Sequence, residues 1–94
     1  MTEVSALRVD KWLWYARIFK ARERAAAFVE AGHVRLAHPG SDPKRILKAS
    51  QTVKPGDVLT LTLPGQVRVL RVEGLGHRRG PPAEARMLYA ELHH

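Results

Sequence analysis

The sequence predicts one α+β domain: two N-terminal helices packed on a small, mainly antiparallel sheet, with a C-terminal helix after it. Three observations predict this. Apolar residues recur at helical spacing between residues 9 and 29, alternate strictly in "VLTLTL" (58–63), and return to helical spacing after Pro82. The 94 residues suffice for one hydrophobic core and leave little depth for an internal active site.

The elements follow in chain order. Asp10 is placed to cap a helix from Lys11, with Val9 able to join the first turn. At about 100° per residue, Val9, Trp12, Leu13 and Ala16 share one face, while Arg8, Lys11, Trp14 and Tyr15 fall mostly on the other. This helix is expected to fray around Arg17–Lys20. A second register, Ala25, Phe28 and Val29 with Ala21 at its edge, marks a second helix that Gly32 ends in left-handed geometry. "HVRL" (33–36) reads as a strand, "AHPGSDPKR" (37–45) as a loop and "ILK" (46–48) as another short strand. In "VKPGD" (53–57), Pro then Gly at the centre suits a type II turn. Leu59, Leu61 and Leu63 take one face of the next strand and Thr60 and Thr62 the other. After Pro64-Gly65 the chain returns as "QVRVLRV" (66–72), where Val67 and Val69 oppose Leu70 and Val72. That slip predicts a bulge or a strand covered on both faces. Pro82 opens a helix to about Leu92, with Ala85, Leu88, Tyr89 and Leu92 as its apolar stripe.

Charge narrows the function. The formal net charge is +7, and residues 8–54 carry eleven Lys or Arg against four acids, whereas residues 55–94 carry five against four. An excess confined to one half points to a polyanionic partner rather than to solubility alone. Other classes are excluded in turn. There is no cysteine for thiol catalysis or thiolate zinc sites. No apolar run reaches the roughly 18 residues of a membrane span, and "MTEVSAL" lacks the pattern of a secretory leader. His33, His38 and His77 lack metal-ligand spacing, and no nucleophile–histidine pair, carboxylate cluster or Gly-rich phosphate loop is present. The expectation is a cytoplasmic, non-enzymatic protein without cofactor or metal. His93 and His94, native or the start of a tag, are left out of the functional reading.

"RVDKWLWYARIFKAR…AAAFVEAGHVRL" followed by "KAS…VKPGD" resembles the S-four RNA-binding domain, the αL motif named for small-subunit ribosomal protein four. The "DKWLWYAR" form, with "GLGHRRGPPAEARMLY" after it, resembles the heat-shock protein 15 family in particular. The resemblance implies a tail (1–7), an S-four-type domain (8–63), and a C-terminal strand-and-helix extension (64–94) packed on it. It also implies binding to ribosomal RNA, and to tRNA, on large ribosomal subunits that still carry peptidyl-tRNA, in a stress-related rescue. Carried over by motif, the expected RNA contacts are Arg8, Lys11, Arg17, Lys20, Arg22, His33, Arg35, Lys48, Ser50 and Lys54. Two departures stand out. Ala21 replaces the family's Ser or Thr before the arginine of the second helix, which removes a cap worth about 1 kcal/mol. The loop 37–45 replaces a short turn, and adds Lys44 and Arg45 as candidate contacts.

Several features read two ways. Trp14 is either a ring that stacks on an unpaired base or one that packs against the C-terminal segment. Arg78 and Arg79 are either contacts to RNA or protein, or a solvated loop. Two further functions stay open: a general RNA or DNA binder, and an accessory module for an RNA-modifying enzyme. The chain is read as a monomer, and Arg17→Glu with Arg22→Glu is expected to spare the fold while abolishing binding.

Overall fold

The computed structural model describes residues 5–92; residues 1–4, His93 and His94 lie outside them. Helix α1 spans Val9–Tyr15 and helix α2 spans Arg22–Glu30. The predicted stripe is the core face: Val9, Trp12, Leu13, Ala16, Ala25 and Val29 are all buried, with Phe28 half-buried at the edge. Burying such side chains contributes about 1.5–3 kcal/mol each for the larger ones, the main force holding the helices to the sheet.

Among the described residues, seven strands form two sheets. A two-stranded ribbon pairs β1 (Leu7–Arg8) with β4 (Thr52–Val53), so pairing begins at Leu7. The main sheet is antiparallel throughout, in the order β3 (Lys44–Ile46), β2 (Val34–Ala37), β5 (Val58–Leu63), β6 (Gln66–Val72), β7 (Tyr89–Leu92). Its inner face is set by register: Leu59 lies opposite both Leu36 and Leu70, and Leu61 opposite Val34. Leu59, Leu61, Leu70 and Val72 are fully buried beneath the helices. Gly56, at φ +97°, makes the Pro55-Gly56 turn that the sequence predicts.

Three expectations change here. The strand 44–46 starts earlier than "ILK", so Lys44 and Arg45 belong to a strand rather than to the loop. β6 carries no bulge: its pairing with β5 steps one for one from Val58↔Arg71 to Leu63↔Gln66. Val67 and Val69 simply share the outer face with Thr62 and Thr60, and Val67 is exposed. The C-terminal helix α3 is only Pro82–Ala85, continued by a 3-10 turn at Arg86–Leu88, and the chain then becomes β7 instead of running helical to Leu92. The reason is tertiary. The far edge of β6 offers unpaired backbone groups, and β7 satisfies them. Tyr89 then meets the Trp12 ring edge-on at 6.5 Å, and Arg68 forms two hydrogen bonds to Glu91.

Candidate nucleic-acid interface

The start of α1 is organised around one carboxylate. The Val9 N–H donates to the Gln51 carbonyl at 2.7 Å and the Asp10 N–H to that of Ala49 at 3.4 Å, which docks the turn carrying Lys48 and Ser50 on the helix. Asp10 is 3% exposed. Its oxygens accept two hydrogen bonds from Arg8, at 3.1 and 3.0 Å, and the Lys11 N–H at 2.7 Å, and they pair with Arg22 at 3.5 Å. Asp10 is therefore not the helix cap; Arg8 holds that position, and Asp10 lies within the first turn. A buried carboxylate must be paired. Pairing it with two half-exposed guanidiniums fixes both side chains and leaves an excess of one positive charge over the trio.

The joint between the helices is equally defined, not frayed. The Ile18 N–H bonds to the Leu13 carbonyl and that of Arg17 to Trp14, a Schellman closure with Arg17 in left-handed geometry at φ +59°. α2 closes the same way through Gly32 at φ +85°. Glycine adopts this conformation freely, whereas a side chain costs roughly 1 kcal/mol. Arg17 carries that cost here. Its Nε donates to the Gly80 carbonyl at 2.7 Å, and the residue stays exposed, as does Lys20.

The C-terminal loop folds over this joint. Arg79 donates to the Trp14 carbonyl at 3.1 Å and to that of Phe19 at 3.5 Å, and its guanidinium sits 5.8 Å from the Trp14 ring centroid. The Trp14 ring thus touches the C-terminal segment through Arg79 while staying half-buried. Tyr15, placed by periodicity away from the core, is buried, and its hydroxyl donates to the His77 carbonyl at 3.4 Å. The helical wheel misplaces it because the wheel contains no second layer.

Arg8, Lys11, Arg22, Lys48 and Ser50 thus gather at the start of α1, with Arg17 and Lys20 at its far end. The others are set apart. Arg35 and Arg45 face each other in register on the strands' outer side, and His33 lies against Phe28 with ring centroids 5.2 Å apart. Lys54 belongs to the turn held by buried Asp57, which accepts the Lys54 N–H at 3.0 Å and contacts His38 Nδ1 at 2.9 Å. Lys44 lies at the exposed edge near His38. Sequence reasoning missed the organising part of Asp10 and the clamp made by Arg79. Nothing in the linear pattern shows that a residue 65 positions downstream returns to Trp14.

These basic residues on two helices and a strand turn define a binding domain of the S4 class, and the S4 domain profile matches residues 7–59. Heat shock protein 15 of Escherichia coli K12 is 35% identical over 85 residues, covering 90% of this chain and 59% of that protein. The Haemophilus influenzae homologue is 33% identical over 85 residues, covering 90% of this chain and 60% of its own length. Heat shock protein 15 of Vibrio cholerae, solved as a trimer, superposes with a TM-score of 0.76 at 33% identity, over 93% of this chain and 82% of that one. The chain belongs to the heat shock protein 15 family and carries its S4 RNA-binding domain. It spans about 59% of the length of the Escherichia coli relative.

Proposed function

We propose that the chain binds ribosomal RNA on the large ribosomal subunit, with tRNA in reach, and acts without catalysis in the cytoplasmic rescue of stalled subunits carrying peptidyl-tRNA under stress. The observation that carries the RNA reading is the Asp10-centred cluster. It sets two arginines in fixed positions beside Lys11 and the Lys48–Ser50 turn, and Arg17 and Lys20 extend it along α1. Fixed guanidiniums suit bidentate phosphate contacts, and mobile lysines add charge. Such contacts position the RNA without reading its sequence. Shape and unpaired bases then supply specificity.

The ribosomal client is the expectation that the family resemblance carries, and the stress setting is in keeping with the relatives' name, heat shock protein 15. Arg35, Arg45, His33, Lys44 and Lys54 serve as outlying contacts in this reading, reached only by RNA that wraps past the sheet edge. Sucrose-gradient sedimentation of lysate, with binding to purified subunits, tests it. Co-migration with large subunits alone is expected; even distribution over RNA and DNA species would instead favour a general nucleic-acid binder. Sedimentation of the free protein at the same concentration tests the monomer against a trimer like that of the Vibrio cholerae protein.

A further inference from the structure

Between the end of α1 and the C-terminal segment lies a cleft of about 250 Å³, lined by Tyr15, Gly76, His77, Arg78, Glu84 and Leu88. It lies next to the basic surface. Lys11 Nζ stands 5.6 Å from the Tyr15 ring centroid on one side, and Arg17 is bonded to Gly80 at the margin. The Tyr15 ring and Leu88 give it an apolar wall, close-packed about Gly76, where a Cβ would lie 3.3 Å from Leu88 and 3.6 Å from Tyr15. The volume is smaller than the roughly 300–1,000 Å³ of pockets that bury drug-sized molecules, and suits one planar heterocycle.

A carboxylate inside a basic RNA surface calls for explanation. Glu84 is folded back against Gly80, and both its oxygens accept from Arg78, at 3.1 and 3.0 Å. This pairing offsets the negative charge that would otherwise repel phosphates. One nitrogen, Arg78 Nη2, bridges both oxygens on their shared side, so the two parallel donors of a base reach the carboxylate by taking its place and freeing Arg78 for a phosphate.

We propose that this cleft receives one unpaired nucleobase of the bound RNA and selects guanine. The proposal rests on the RNA-binding reading above. An ionised carboxylate only accepts hydrogen bonds, and guanine alone among the four bases offers two adjacent donors, N1–H and the N2 amino group, on its pairing edge. The base lies against Leu88 and the exposed edge of Tyr15, while Lys11, Arg17 and Arg78 meet the flanking phosphates. Unpaired bases seated against aromatic rings and read on their pairing edges are the usual means of sequence recognition in RNA.

The test uses the full chain and four stem-loop RNAs, identical except for guanine, adenine, cytosine or uracil at the centre of a seven-uridine loop, with affinity read by fluorescence anisotropy. The guanine loop is expected to bind about fivefold or more tightly than the other three. Glu84→Gln, at an exposed position, is expected to bind the uracil loop as before but to lose the guanine preference, because an amide presents one acceptor and one donor and cannot receive both guanine donors. Equal affinity for all four loops overturns the guanine cleft and leaves the RNA reading intact. So does a preference for another base, or a guanine preference that survives both Glu84→Gln and Glu84→Ala. Failure to bind any of the four while large subunits are still bound overturns the cleft alone; failure to bind either overturns the RNA reading with it.

Discussion

The two halves of the chain use arginine in opposite ways. In the C-terminal half, Arg68 pairs with Glu91, Arg71 with Glu73 and Arg78 with Glu84, and Arg79 is spent on the carbonyls of Trp14 and Phe19. The Glu91 hydrogen bonds push the Arg68 guanidinium further above its already high ordinary pKa, so its charge is fixed in place. In the N-terminal half, Arg8 and Arg22 share a single carboxylate, and none of Lys11, Arg17, Lys20, Arg35, Lys48 and Lys54 has an ion pair among the described residues. The same residue type is mostly paired in one half and leaves charge open in the other. Net charge by itself does not locate a polyanion site; unpaired charge does.

The comparison breaks most completely at Asp10. Asp10→Ala removes the one anchor of Arg8 and Arg22 and leaves the Lys11 N–H without its acceptor. It should cost about 2 kcal/mol, a fall in Tm of roughly 8–16 °C by calorimetry, with RNA affinity lowered at least tenfold. Removing an acid would thus weaken binding to a polyanion. Arg17→Glu with Arg22→Glu sits close behind. Because Arg22 pairs with buried Asp10, the double variant is expected to lower Tm as well as abolish binding, a new carboxylate then facing Asp10. Arg22→Gln separates the two effects: binding should weaken with a Tm loss of only a few degrees.

Arg17→Gly sharpens the contrast at a single position. It relieves the left-handed strain but loses the Gly80 hydrogen bond, so stability should stay within about 1 kcal/mol while affinity falls. Lys11→Gln with Lys48→Gln should leave Tm unchanged. If both residues touch single-stranded phosphates, the slope of log K against log salt should become shallower by about 1.4. Smallest of all is Arg71→Gln. Its pair with Glu73 is exposed, and both stability and salt slope should be indistinguishable from the parent, within about 0.5 kcal/mol by chemical denaturation.

Most of the architecture was legible because it rests on local periodicity. The stripe from Val9 to Val29, the alternation in "VLTLTL" and the Gly56 turn each report a physical constraint confined to a few neighbouring residues. The basic residues were legible as candidates from charge and motif. What failed depended on distant partners. Tyr15 looks exposed on a wheel until residues 76–88 cover it, and the stripe Ala85–Leu92 looks helical until the β6 edge claims it. Asp10 looks like a cap until Arg22, twelve positions on, folds against it.

The sequence by itself determined the fold class, the core face of both helices, the family, and the half of the molecule that carries excess charge. Each is written in spacing, composition or motif, which survive without coordinates. Only the tertiary structure decided which charges remain free, which aromatic rings are covered, and that Glu84 and Tyr15 border one cleft. The reason is that pairing and burial are properties of neighbours in space. Residues 15 and 84 become neighbours only when the C-terminal segment closes over the helical joint.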